Sequence, residues 1–185
     1  MSTSKFEATV DYLIHTSPES IFRGATLLNK VLWNADVTAY KANGQSITGC
    51  KYTRRQNGPV PDRILRSLEK LSDEGRVQVI EPRAQYQPRK YVGLGDDDGR
   101  YEVISEAEKG ILINQLMRLR SMSANEMSEE THGIVWQSIG NGETMPLSAT
   151  LIEEEGDYPP ESFAWAESVI SSLEGNPKAS MADMA

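Results

Sequence analysis

The stretch that decides the fold runs from Gly24 to Asp62 and reads GATLLNKVLWNADVTAYKANGQSITGCKYTRRQNGPVPD. Its first half has a helical period. Leu27, Leu28, Val31, Leu32 and Ala35 share one face of a helix expected from about Thr26 to Asn43. Gly44 is a good stop, because glycine enters the left-handed conformation that closes a helix. The second half, Gln45 to Pro61, has no such period and carries Gly49, Gly58, Pro59 and Pro61. It is expected to be a structured loop with a short extended piece around Tyr52.

Asn57-Gly58-Pro59-Val60-Pro61 has a direct physical meaning. Each proline fixes its own φ and disfavours helix at the residue before it, so Gly58 and Val60 are pushed extended. A third helix then starts at about Pro61, whose missing N–H costs little in a first turn, and runs to Glu74 before Gly75. Ile64, Leu65, Leu68 and Leu71 are its expected core face. The proline segment is either a rigid connector between two helices or a preformed loop that a partner grips at low entropic cost.

Working outward, Phe6, Val10, Leu13 and Ile14 mark a first amphipathic helix, with Thr3 or Ser4 as N-cap and an end before Pro18. Beyond Gly75, the segments Arg76 to Glu81 and Arg89 to Leu94 hold β-formers and predict a hairpin. Gly95-Asp96-Asp97-Asp98-Gly99 is a turn. A helix follows from near Ser105 to about Ser121, with Ile111, Leu112, Leu116 and Leu119 inward. Ser123-Ala124-Asn125-Glu126 is a capping box opening a short helix through His132. Pro160 to Leu173 reads as a last helix and Asn176 to Ala185 as a frayed tail. The expected class is mainly α (α+β): a compact helical domain with a small β-hairpin after the third helix. It occupies residues 1–152, and an acidic linker, C-terminal helix and tail fill 153–185.

The 185 residues suffice for one domain with its own core, at 38% hydrophobic and 25% charged side chains. Cys50 is the only cysteine, the N-terminus is polar, and no apolar run approaches a membrane span, so a cytoplasmic location is expected. The net charge of −8 is unevenly placed: residues 51–90 carry +5, and residues 91–185 carry −13. Arg63, Arg66 and Lys70 share a face of the third helix, with Arg76, Arg83, Arg89 and Lys90 following. A helix followed by a basic hairpin is the layout of a winged-helix DNA reader. The same charges also suit a solvated face, partly cancelled by Glu69 and Asp73.

Chemistry-bearing residues are sparse. His15, His132 and Cys50 show no ligand spacing for zinc, and no nucleophile elbow is present. No cofactor or metal is expected. The Gly93 to Gly99 run lacks the GK[ST] of a phosphate loop and the terminal Glu of a calcium loop. No acid–base pair stands at recognisable spacing, so an enzyme ranks last. The run Glu153-Glu154-Glu155-Gly156-Asp157 is a solvated linker or a surface for a basic partner.

Two ordered blocks resemble a known family. The first is Gly24 to Asp36 with Tyr40, Gly44-Gln45-Ser46-Ile47-Thr48-Gly49, Tyr52 and Asn57-Gly58-Pro59-Val60-Pro61. The second is Leu119, Ser123 to His132, Trp136 and Met145-Pro146-Leu147. Together they resemble the Panacea domain of SocA-like antitoxins, also found in phage-associated proteins, over roughly residues 8 to 152. Position 33 holds Trp where the family more often has Tyr or Phe. The resemblance implies a mostly helical fold and direct neutralisation of a protein toxin encoded beside it. In one branch the antitoxin is an adaptor that delivers its toxin to the ClpXP protease. The expected function is therefore an antitoxin of a toxin–antitoxin system, with a DNA-binding regulator of its own operator as the alternative. The expected toxin-binding residues are Lys51, Tyr52, Arg54, Arg55, Asn57, Gly58, Pro59, Val60, Pro61, Arg63 and Arg66, with His132 and Trp136 nearby.

Overall fold

A computed structural model describes residues 4–18, 21–85 and 87–153. This part is mainly helical with two small antiparallel sheets, the class the periodicities predict. The linker, helix and tail expected beyond Glu153 lie outside the described residues.

Helix α1 (Lys5–Thr16) is capped by Ser4, whose hydroxyl accepts from the Glu7 N–H while the Glu7 carboxylate accepts from the Ser4 N–H. Phe6, Val10, Leu13 and Ile14 are buried as expected. After strand β1 (Ile21–Arg23), helix α2 (Ala25–Asn43) forms the centre of the domain. Leu28, Val31, Leu32, Ala35 and Ala39 are buried, and Gly44 closes the helix at φ +74.

The expected loop after α2 is instead a hairpin. Strands β2 (Tyr52–Arg55) and β3 (Gly58–Pro61) pair antiparallel around the turn Gln56–Asn57. The prolines fit because of register. Asp62 N–H donates to the Lys51 carbonyl at 3.0 Å, so hydrogen-bonded pairs alternate from there and Pro59 and Pro61 fall between them. Their missing N–H groups would have pointed off the ladder, and β3 is an edge strand. Pro61 is thus the end of a strand and not the first turn of a helix.

Helix α3 (Ile64–Asp73) accordingly starts three residues later than expected. Ile64, Ser67, Leu68 and Leu71 face the core. Leu65 corrects the predicted face: one step round the helix from Ile64, it projects into solvent, 66% exposed. The predicted hairpin follows as β4 (Val77–Ile80) and β5 (Lys90–Gly93), and β1 adds a third strand in the order β1–β5–β4. The order α1–β1–α2–α3–β4–β5, with β1 paired to β5, is the connectivity of a winged helix, with the β2–β3 hairpin inserted before its third helix.

Helices α4 (Glu106–Arg120) and α5 (Ala124–Thr131) both start at Ser–Glu capping boxes, Ser105/Glu108 and Ser123/Glu126. Leu112, Leu116 and Leu119 pack α4 against α2. Helix α6 (Ile134–Ser138), the two-residue strand β6 (Thr144–Met145) beside β2, and a 3-10 turn (Leu147–Glu153) complete the described chain. Among the described residues no helix is long and apolar enough to cross a membrane.

Buried charges lock the strands to α1. Asp11, fully buried, stands 3.2 Å from Arg100 Nη1 and 3.6 Å from Arg76 Nη1. His15 lies against Gly93, where any Cβ would meet its ring at 2.8 Å, and its Nε2 is 3.1 Å from the Leu94 carbonyl. These contacts make His15 part of the packing between helix and sheet.

Candidate functional site

The β2–β3 hairpin and the α5–α6 region, which begins at Ala124 long after the hairpin ends at Pro61, form one face. Arg54 leaves β2 with its guanidinium 3.8 Å from the Trp136 ring centroid and its Nε donating to the Trp136 carbonyl at 3.1 Å. The His132 ring stacks on the same indole, with centroids 3.8 Å apart and planes 12° from parallel. The indole N–H donates to the Arg55 carbonyl at 3.2 Å. An indole held by a guanidinium, an imidazole and a backbone bond braces the hairpin and is no free platform for stacking a nucleic-acid base.

His132 sits half-buried, and its Nε2 has no hydrogen-bond partner among the described residues. Burial, with Lys30 and Arg54 nearby, holds its pKa below the ordinary imidazole value. The ring is therefore neutral under ordinary conditions.

Lys30 lies beneath this face. Only 2% exposed, it donates to the Met127 carbonyl at 2.7 Å and to Thr131 Oγ1 at 2.6 Å. No carboxylate pairs with it among the described residues, and burial pushes its pKa down to about 8. One of its acceptors, Thr131, is the last residue of α5, where the helix dipole favours a cation. Gly58, at φ +117, passes over this contact. A Cβ there would stand 3.1 Å from Thr131 Oγ1 and 3.3 Å from Lys30 Nζ.

A second buried knot holds the base of the hairpin. The Asp36 carboxylate, fully buried, accepts from the Thr48 N–H (2.9 Å), the Thr48 hydroxyl and the Tyr52 hydroxyl (2.7 Å). Burial raises the Asp36 pKa, and these hydrogen bonds oppose that shift. Tyr52 also meets Trp33 edge to face at 5.0 Å. Cys50 donates to Asp62 Oδ1 at 2.8 Å, and burial with that carboxylate pushes the thiol up to about 12. A thiol so placed stays protonated and is not a nucleophile.

The predicted contact residues therefore divide. Lys51, Arg55, Asn57, Arg63 and Arg66 are exposed; Arg54, Val60, His132 and Trp136 are half-buried. Tyr52, Gly58, Pro59 and Pro61 are buried, and Tyr52 points into the core. The exposed hairpin tip borders a concavity of about 310 Å³, where Arg55, Gln56 and Asn57 face Thr26, Asn29 and Asn141. Asn29 Oδ1 is buried there without a hydrogen-bond partner among the described residues. The concavity is rich in side-chain amides, which suit hydrogen bonding to a peptide backbone. Asn29, Lys30 and Asn141 carried no pattern in the sequence that marked them as neighbours of the hairpin.

These elements make a helix-rich α+β domain of winged-helix connectivity, with a braced hairpin and an amide-lined hollow. The chain matches the family model of the antitoxin SocA-like, Panacea domain over residues 28–137, more than half its length. It belongs to that family. The matched span is narrower than the 8 to 152 expected from the motifs, and it includes both ends of the Lys30–Thr131 contact and of the Arg54–Trp136 contact. No curated protein and no solved structure matches the chain.

Proposed function

We propose that this protein is the antitoxin of a toxin–antitoxin pair and neutralises a cognate protein toxin by binding it directly. Membership in the Panacea family carries this reading. Supporting it is the way the two motif blocks converge: their buried members build the scaffold, and Lys51, Arg55, Asn57 and Val60 are left at or near its surface. In this reading the toxin docks across the hairpin tip and the α5–α6 face, in the cytoplasm, and its gene lies beside that of the antitoxin. At the hairpin itself the exposed Lys51, Arg55, Arg63 and Arg66 favour an acidic patch on the toxin, while the acidic run Glu153-Glu154-Glu155-Gly156-Asp157 suits a basic one.

The test is co-expression with the product of the neighbouring gene. That product should arrest growth alone, growth should recover with this protein, and the two should co-purify. A harmless neighbour with no complex would remove the proposal. Delivery of the bound toxin to ClpXP is the finer version. It predicts a toxin half-life that shortens when the antitoxin is present and lengthens in cells lacking the protease.

Operator binding is the second reading, and the winged-helix connectivity favours it. The charges weigh against it. Lys70 is tied to Glu7 at 2.6 Å, Arg76 is turned inward to Asp11 and Glu74, and Arg89 pairs with Glu81 at 3.0 Å. It requires salt-dependent binding to the protein's own promoter, lost when Arg63 and Arg66 become Ala.

A further inference from the structure

In a winged helix, the third helix and the loop between the last two strands flank a groove. Here that groove is a concavity of about 460 Å³ whose surface is not suited to DNA. Its floor is apolar: Leu68, Val79 and Tyr91. Leu65 stands at its edge, two-thirds exposed, and is the most exposed large hydrophobic side chain among the described residues. The rim is acidic. Glu69 and Asp73 come from α3 and Glu81 from the loop, while the one cation lining the groove among the described residues, Arg89, is already paired with Glu81. On the helical wheel Leu65, Glu69 and Asp73 lie together, and Lys70 is turned away to Glu7.

We propose that this groove docks an amphipathic segment of a partner protein, with apolar side chains entering over Leu68, Val79 and Tyr91 and basic side chains meeting Glu69 and Asp73. Two observations select that occupant. An exposed leucine beside an apolar floor offers area whose removal from water drives association. The rim's net negative charge repels phosphates and attracts lysine or arginine. The fold thus keeps the winged-helix connectivity and presents a protein-binding groove where a DNA reader presents its basic recognition surface. This surface is independent of the hairpin face, so it can fail while the antitoxin reading stands, and the reverse.

The experiment uses the full chain and a synthetic helical peptide with Leu at i, i+4 and i+7 flanked by Lys. A control peptide replaces every Lys by Glu. Binding is followed by fluorescence anisotropy and mapped by amide chemical shifts. The Lys peptide is expected to bind and to shift Leu65, Glu69, Val79 and Tyr91, and the Glu peptide is expected not to bind. Leu65→Asp and, separately, Glu69→Lys with Asp73→Lys should each weaken binding at least tenfold. Leu65 is exposed, so its substitution leaves the core intact, and an unchanged circular dichroism spectrum checks this. Shifts confined to other surfaces, equal binding of the two peptides, or binding unaffected by Leu65→Asp would overturn the proposal. So would salt-sensitive duplex DNA binding that maps to the groove, or a dimer in light scattering that Leu65→Asp dissolves.

Discussion

Lys30 on α2 donates to Thr131 Oγ1 on α5 at 2.6 Å, across 101 positions of chain. The contact binds the first motif block to the second, and Gly58 of the hairpin is the third party to it. The lysine acts as a tie through its ammonium hydrogens and has no carboxylate to neutralise it among the described residues. Replacing it by methionine keeps the stem and removes the donors. Met127 and Thr131 then lose a buried donor, and Lys30→Met should destabilise the fold by about 1–3 kcal/mol, read as a lower midpoint in urea with an unchanged slope.

The same lysine makes stability depend on pH in a defined direction. Its folded pKa of about 8 lies below the 10.5 of an unfolded lysine. Between these values the unfolded chain binds more protons than the folded one, so stability rises with pH there. Below pH 8 both states are protonated and the folded state bears the full cost of the buried charge. Subtracting the pH profile of Lys30→Met from that of the native protein isolates this contribution. The difference should grow in favour of the native protein from about pH 8 to 10.5. A flat difference would show that Lys30 titrates normally.

Gly58→Ala is expected to cost about 1–3 kcal/mol, for two reasons that act together. The backbone at φ +117 is unfavourable for any side chain, and the new methyl would press on Thr131 Oγ1. Thermal unfolding of Gly58→Ala beside Gly142→Ala separates the two effects. Gly142 also has positive φ, at +93, but open space around its Cβ, so its alanine variant should lose less.

Arg54→Ala should raise the pKa of His132, because Arg54 is one of the two cations that help depress it. Imidazole proton shifts in an NMR titration give the reading. The same variant loses the stacking on Trp136, worth about 0.5–2 kcal/mol. Arg54→Lys should restore most of the histidine shift but little of the stacking, since an ammonium lacks the flat guanidinium surface.

Cys50 should resist thiol reagents in the native state. It is buried, hydrogen-bonded to Asp62 and protonated up to about pH 12. Labelling by an aromatic disulfide reagent at pH 8 should proceed only as fast as the chain opens, and should become rapid in denaturant. Rapid native labelling would mean that the Cys50–Asp62 contact is absent in solution.

Much of this molecule was legible in one dimension. Helical periods placed α1, α2 and α4. Ser105 and Ser123 marked helix starts through bonds that span three residues, and Gly44 and Gly75 marked ends. These signals are local, because helices satisfy their hydrogen bonds within a few residues. The β4–β5 hairpin was also visible, from β-formers on either side of a proline-bounded loop. The β2–β3 hairpin was not, although Asn57-Gly58 is a common hairpin signal. Pro59 and Pro61 masked it, since their fit depends on which side of the ladder their nitrogens face, and register is a property of the pair. Strands β1 and β6, three and two residues long, exist only because β5 and β2 offer them edges.

The site divides in the same way. The sequence by itself determined the family and the pairing of His132 with Trp136, which lie four apart around the end of α5. Only the tertiary structure decided that Tyr52 serves the core, that Arg54 stacks on Trp136, that Lys30 ties α2 to α5, and that Leu65 faces out beside an acidic rim. Each of these depends on elements far apart in sequence meeting at a distance of a few ångströms. A residue's type states what bonds it can make; only the packing of its neighbours fixes which bonds it does make.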